Sequence, residues 1–259
     1  MLLICGHQRS GTTLLRILCN RHPDMAVTNE FASLLQLGRP YPRYVIHVLR
    51  TWGRTRNRKD IFNPRNRGGL TPFTNLFYTL SYLLHLGLHW RKRIGPEDVE
   101  AAMRGVFPQA RVVGDKYPDY IWNLDRYVRM PSLTCIVIYR DCRDVASSTL
   151  QQVHTAWKGR RFATQMDTAE KVARRWVEAV EVMERNADGV HTLRYESLIA
   201  QPLPELEAIG AKLGVDPGRF PIHIIRDTSI GKHRQGLTPE ALEAVMAIAG
   251  PTMQRLGYR

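Results

Sequence analysis

The sequence predicts an α/β fold, a three-layer α/β/α domain built around a central parallel sheet. Three observations carry that reading. Short apolar runs alternate along the chain with segments of helical period. The first run, Leu2 to Cys5, has no polar alternation, as a strand covered on both faces requires. It leads at once into a glycine-bounded turn and then an apolar-periodic helix, a strand–turn–helix unit.

The elements follow in order. Leu2 to Cys5 is a central strand, Gly6-His-Gln-Arg-Ser-Gly11 a turn, and Leu14, Leu15, Ile17 and Leu18 the apolar face of the next helix. His22-Pro23-Asp24 ends that helix, and Ala26 to Thr28 forms a short second strand. Residues 38–70 are rich in Arg, Pro, Gly and Asn with weak periodicity, which predicts an irregular excursion or lid. A helix is expected over Pro72 to Lys92, and its apolar stretch Leu76 to Leu88 reads as buried. Another starts near Pro96, with Glu97 and Asp98 complementing the dipole of its first turn. Arg111 to Gly114 and Leu133 to Tyr139 are further strands. A long helix over Thr168 to Arg185 precedes the last strand, Val190 to Tyr195. Helices near Leu203 to Leu213 and Pro239 to Ala249 close the chain, the latter capped by Thr238. Neither repeats nor low-complexity tracts occur. One domain over 1–259 is expected, with an insertion or lid at about 38–98.

With 259 residues and 44% hydrophobic composition, the chain can bury a full core and is not a disordered tail. The net charge of +13 calls for an anionic partner: a nucleotide, a nucleic acid, a membrane surface or an acidic acceptor. Charge does not choose among them. Cys5, Cys19, Cys135 and Cys142 form neither a CxxC pair nor a metal-ligand spacing, so reduced thiols in a cytoplasmic protein are expected, and no metal. The apolar run after Met1 is too short for a secretory core or a membrane span.

Gly6-x-x-x-x-Gly11-Thr12-Thr13 lies between strand and helix, where backbone N–H groups cradle phosphate. The spacing is that of a P-loop, which makes the expected fold P-loop NTPase-like. Thr12, however, stands where the P-loop lysine belongs. The strand ending at Tyr139 is followed by Arg140, with Asp141 one residue on, rather than by the magnesium-binding Asp of an NTPase. A nucleotide kinase or ATPase lacking the usual lysine is therefore the weaker alternative, and a plain glycine turn is the bland one. A basic nucleic-acid-binding module is weaker still, because no recognition motif accompanies the charge.

Arg9-Ser-Gly-Thr-Thr-Leu-Leu resembles the 5′-phosphosulfate loop of the sulfotransferases that use 3′-phosphoadenosine 5′-phosphosulfate (PAPS). Val137-Ile-Tyr-Arg140-Asp-Cys-Arg-Asp-Val-Ala-Ser-Ser148 resembles the second half of that family's signature, in which a strand-end arginine and a serine eight residues later bind the 3′-phosphate. The chemistry agrees, since arginine offers a planar fork to phosphate. The resemblance implies PAPS as co-substrate and adenosine 3′,5′-bisphosphate as product, with a hydroxyl-bearing acceptor and no metal. Arg9, Ser10, Gly11, Thr12 and Thr13 would hold the 5′-phosphosulfate, and Arg140 and Ser148 the 3′-phosphate. Tyr195, in Leu193-Arg-Tyr-Glu-Ser-Leu, resembles a residue near the adenine and reads equally as a core tyrosine. Ser229-Ile-Gly-Lys232-His-Arg234 resembles the late loop over the cofactor phosphates, which makes Lys232, and after it Ser229 and Arg234, phosphate contacts.

The first forty residues are most similar to the tyrosylprotein sulfotransferase branch. Glu30 lies twenty-one positions beyond Arg9, the spacing of that branch's proposed base, and Asp115-Lys116-Tyr-Pro118 resembles its Lys-Asp-Pro-like segment. Asn29 and Ala32 depart from the branch's pattern. The resemblance implies Glu30 as general base and Lys116 as the cation at the leaving group. Their bland readings are a helix-start charge and a solvated loop lysine. His7 is expected to tune or pack the turn, and Trp176 to be core. Arg39, Arg43, Arg50, Arg54, Arg56, Arg58, Arg65 and Arg67 read as a solvated face, with attraction of an anionic acceptor or a peripheral membrane contact left open. Acceptor choice is expected within 38–98.

Overall fold

The computed structural model describes residues 1–55, 61–62, 71–87 and 93–258. Five parallel strands, β1 (Leu2–Cys5), β2 (Met25–Asn29), β3 (Val112–Lys116), β4 (Thr134–Tyr139) and β5 (Val190–Arg194), pair in the order β2-β3-β1-β4-β5. The α-helices among the described residues are α1 (Thr12–Arg21), α2 (Tyr41–Thr55), α3 (Thr71–Gly87), α4 (Pro96–Val106), α5 (Leu124–Tyr127), α6 (Cys142–His154), α7 (Ala169–Arg185), α8 (Tyr195–Ala200), α9 (Pro202–Leu213), α10 (His233–Gly236) and α11 (Pro239–Arg255).

The three layers follow from alternation along β1. Leu2 and Ile4 point into a core with Leu15, Leu18, Leu206 and Ile209, and so face α1 and α9. Leu3 and Cys5 point the other way, into the larger core that holds Val172, Trp176, Val245 and Met253 of α7 and α11. All four strand residues are fully buried, which explains why the run is apolar without interruption. The four cysteines are free and buried.

Several elements differ from the sequence expectations. Residues 41–55, expected to be irregular, form α2; its buried line Tyr44, Val48 and Thr51 is helical in period, but exposed Ile46 and Leu49 dilute the pattern. The apolar stretch of α3 is buried on one face only, because Phe73, Phe77, Leu80 and Leu84 are exposed. Thr71–Gly87 is the described extent of that helix, and the expected continuation to Lys92 lies outside the described residues. β2 is longer than Ala26–Thr28. β3 runs two residues further than expected, so Lys116 ends the strand instead of following it. Tyr195 opens α8 rather than closing β5, and α11 continues through Pro251 to Arg255. Among the described residues, no helix is long and apolar enough to cross a membrane.

Candidate active site

In a parallel sheet the carboxyl ends of all strands share one edge, and ligands gather there. Each of the five strands delivers a candidate residue to that edge. β1 leads into the Gly6–Gly11 turn, β2 into Glu30, β3 ends in Lys116, β4 leads into Arg140 and β5 into Tyr195.

The turn after β1 needs its glycines. A Cβ on Gly6 would lie 2.1 Å from the Ile138 carbonyl oxygen, and one on Gly11, at φ 98°, would lie 2.4 Å from the Tyr195 ring. Arg9 is itself left-handed at φ 69°. Among the described residues no side chain caps the N-terminus of α1, and no acidic residue occupies its first turn. The Ser10 hydroxyl is buried with no hydrogen-bond partner among the described residues. An uncapped helix start beside an orphaned hydroxyl fits a phosphate-like anion. Thr12 is buried and Thr13 exposed on the same first turn.

The turn after β4 meets this one. Arg9 Nε donates to Ser148 Oγ at 2.8 Å, and the Arg140 guanidinium donates to the Arg9 carbonyl at 3.3 Å. That guanidinium also lies 4.7 Å above the Tyr195 ring, donates to the Ser229 carbonyl and sits 3.4 Å from Asp144. Its Nε is buried and has no partner among the described residues. Tyr195 is buried, and its ring packs beneath the Arg140 guanidinium and beside Gly11. Trp176, buried in the core as expected, donates to the Arg140 carbonyl at 2.9 Å and fixes that turn from beneath.

The late loop is tied to α6 by Asp144. Its carboxylate accepts the Gly231 amide at 2.8 Å, the His233 amide at 3.0 Å and His233 Nδ1 at 2.8 Å. Those bonds hold the Asp144 carboxyl below its ordinary range against the opposing effect of burial. Gly236 passes so close to α6 that a Cβ there would lie 2.1 Å from Ser147 Oγ. Ser229 thus lies at Arg140, while Lys232 and Arg234 extend from the same loop as exposed side chains.

At the other end of the sheet edge, Lys116 Nζ lies 2.9 Å from Glu30 Oε1. The register explains the contact. Asn29 pairs with Lys116 across β2 and β3, and the Glu30 amide then donates to the Lys116 carbonyl at 2.7 Å. Lys116 is 1% exposed; burial pushes its ammonium below the ordinary lysine range, with Glu30 pulling the other way. It is not a solvated loop lysine. Arg16, buried on α1, adds a like charge that lowers it further.

Asp115 received no role from the sequence, yet it builds this corner. Its carboxylate accepts from Thr28 Oγ1 at 2.7 Å, Tyr120 OH at 2.5 Å, the Phe31 amide at 3.3 Å, and the Ser33 amide and hydroxyl at 3.1 and 3.3 Å. It thereby holds a turn in which Glu30 (φ 57°) and Ala32 (φ 59°) are both left-handed, a conformation that costs a non-glycine residue about 1–3 kcal/mol. His47 of α2 braces the same turn, with Nε2 donating to the Ala32 carbonyl at 3.1 Å. His7 is buried, its Nδ1 donating to the Gln8 carbonyl at 2.8 Å, and it plays the packing role expected of it.

The model of the sulfotransferase family matches residues 2–217. The chain belongs to that family. Solved sulfotransferases share its fold. One from Mycobacterium avium has a TM-score of 0.57 at 13% identity and covers 100% of this chain and 77% of its own. The sulfotransferase domain of the curacin biosynthetic pathway gives 0.55 at 15%, covering 100% and 98%. That of the Synechococcus PCC 7002 olefin synthase gives 0.54 at 16%, covering 97% and 94%. No curated protein matches. In this sulfotransferase-family chain, the two signature turns recognised in the sequence are the ones joined through Arg9, Ser148 and Arg140.

Of the arginine-rich face, Arg39, Arg43, Arg50 and Arg54 are described, and all four are exposed. Arg56, Arg58, Arg65 and Arg67 lie outside the described residues.

Proposed function

We propose that the chain transfers a sulfuryl group from PAPS to a hydroxyl-bearing acceptor. The observation that carries the reading is the contact between the two anion-fitting turns, Arg9 Nε to Ser148 Oγ at 2.8 Å, which lets one adenosine bisphosphate bridge them. The Arg9–Thr13 turn binds the 5′-phosphosulfate through its amides and the Ser10 and Thr13 hydroxyls. Arg140, Ser148 and the Ser229–Lys232 loop bind the 3′-phosphate, and Tyr195 flanks the adenine.

Glu30 takes the acceptor's hydroxyl proton as the acceptor oxygen attacks sulfur. The bond from sulfur to the bridging oxygen breaks, and that oxygen leaves as part of the 5′-phosphate with the negative charge. Lys116, buried at the same edge, stabilises the charge where it develops. Positioning and electrostatics therefore supply most of the acceleration. Support for Glu30 and Lys116 comes from their resemblance to the tyrosylprotein sulfotransferase branch together with their 2.9 Å pairing. The acceptor is a hydroxyl compound, and its class is what the acceptor panel below reads out.

The decisive experiment is thermal-shift titration with adenosine 3′,5′-bisphosphate against ATP with Mg²⁺, followed by sulfuryl transfer from labelled PAPS to an acceptor panel. Stabilisation by the bisphosphate but not by ATP is the expected result. The reverse order would replace this reading with a kinase or ATPase.

A further inference from the structure

Helix α3 has two unlike faces. Asn75, Thr79, Tyr82, Leu83 and Leu86 are buried, whereas Phe73 and Phe77 are each 69% exposed, Leu80 47% and Leu84 77%. The exposed four are spaced four, three and four residues apart, so they form one apolar stripe along the helix, roughly 16 Å long at the helical rise. An uninterrupted stripe with two phenylalanines is more than scattered surface apolarity, and such patches mark interaction sites.

α2 packs beside α3, with Tyr41 OH donating to the Leu83 carbonyl at 3.2 Å and Tyr44 OH 2.8 Å from Tyr82 OH. It exposes Ile46 and Leu49 together with Arg43, Arg50 and Arg54. Among the described residues of 31–95 there are five arginines (Arg39, Arg43, Arg50, Arg54 and Arg93) and no carboxylate. Over the whole span the sequence holds twelve Lys and Arg against the single Asp60, so +11 of the net +13 lies here.

We propose that this face docks the protein on an anionic lipid surface. Phe73, Phe77, Leu80 and Leu84 enter the boundary between headgroups and acyl chains, and the arginines of α2 meet lipid phosphates. An apolar face joined to a basic one is the combination that interfacial helices use, each part adding to the other. Charge decides against a second copy of this chain as the occupant. Face-to-face self-association would bring the exposed Arg43, Arg50 and Arg54 of two copies together, whereas an anionic bilayer neutralises one set.

The test is co-sedimentation of the full chain with vesicles of phosphatidylcholine alone and of phosphatidylcholine mixed with phosphatidylglycerol, at low and high salt. Binding is expected to the mixed vesicles, to weaken with salt, and to fall at least ~10-fold in Phe77→Ser/Leu84→Ser, which removes two inserted apolar groups. Both side chains are exposed, so circular dichroism and the melting temperature should match the parent. Arg50→Ser/Arg54→Ser should lose the preference for phosphatidylglycerol. The proposal is overturned by failure to bind the mixed vesicles, or by binding unchanged in both variants. It is equally overturned by a dimer in light scattering that Phe77→Ser/Leu84→Ser converts to monomer, or by an acidic protein that binds this face while vesicles do not.

Discussion

The Lys116 ammonium and the Glu30 carboxylate form a 2.9 Å ion pair across the ends of two neighbouring strands, with the lysine buried and the glutamate about one-quarter exposed. The pair keeps a cation where burial alone would favour the neutral amine. It also fixes the carboxylate that would take the acceptor's proton.

Lys116→Met should lower turnover by about 10²–10³-fold, the effect of losing one charge-stabilising donor. Methionine keeps the buried stem and removes the cost of burying the charge. Glu30→Gln should lower turnover by about 10²–10⁴-fold and move the acidic limb of the pH–rate profile. Because the side chains touch, the double variant should lose less than the product of the two effects. Fully multiplicative losses, measured as kcat under saturating PAPS, would mean the pair does not act as a unit.

Asp115→Asn should cost both stability and turnover while sparing nucleotide affinity. Among the described residues, the donors to that carboxylate come from Thr28, Phe31, Ser33 and Tyr120, and an amide NH₂ cannot accept from them. Hydrogen bonds to charged groups contribute about 1.5–3 kcal/mol each, so a melting-temperature drop of several degrees is expected. The Glu30 turn loosens, and kcat falls. Calorimetry with adenosine 3′,5′-bisphosphate should show an unchanged Kd, since the Arg9 and Arg140 turns lie elsewhere on the sheet edge. A Kd that weakens as much as kcat would reduce Asp115 to a general prop of the fold.

The legible parts of this molecule are those whose physics is local. Leu2–Cys5 and Thr134–Tyr139 are unbroken apolar runs because a parallel strand between two helix layers has no polar side. Their following turns were legible for the same reason: a strand-to-helix junction must place its amides and its arginine at the sheet edge. α2 was not, since its buried line of Tyr44, Val48 and Thr51 is interrupted by exposed Ile46 and Leu49 and by Gly53. Nor was the role of Asp115, whose partners Thr28 to Ser33 lie more than eighty residues away in sequence. Asp144 was hidden likewise, because the loop it holds lies eighty-seven and eighty-nine residues on.

Asp144→Ala should weaken adenosine 3′,5′-bisphosphate by about tenfold or more while leaving the rest of the fold intact. It deletes the acceptor for two loop amides and one imidazole, each bond charge-assisted. If the loop contributes Lys232 to the 3′-phosphate, Lys232→Ala should weaken binding in the parent and do little once Asp144 is gone. Equal effects of Lys232→Ala in both backgrounds would separate the lysine from the anchor.

His7 should make the fold acid-sensitive. Burial lowers its pKa from 6.5 to about 4, the Gln8 carbonyl opposing and Arg175 adding to the fall. Its Nε2 is buried with no hydrogen-bond partner among the described residues, so a second proton would create an unsatisfied charge beneath the phosphate turn. The unfolded chain accepts that proton first. The imidazole's contribution to stability is therefore complete above pH 6.5 and is lost as pH falls toward 4. By about pH 4.5 the loss amounts to roughly 2–3 kcal/mol. His7→Asn keeps a donor toward the Gln8 carbonyl and has nothing to titrate. Urea unfolding from neutral pH downward should show the parent falling more steeply than the variant, the gap opening below pH 6.5; parallel curves would show that protonation of His7 costs the folded state nothing.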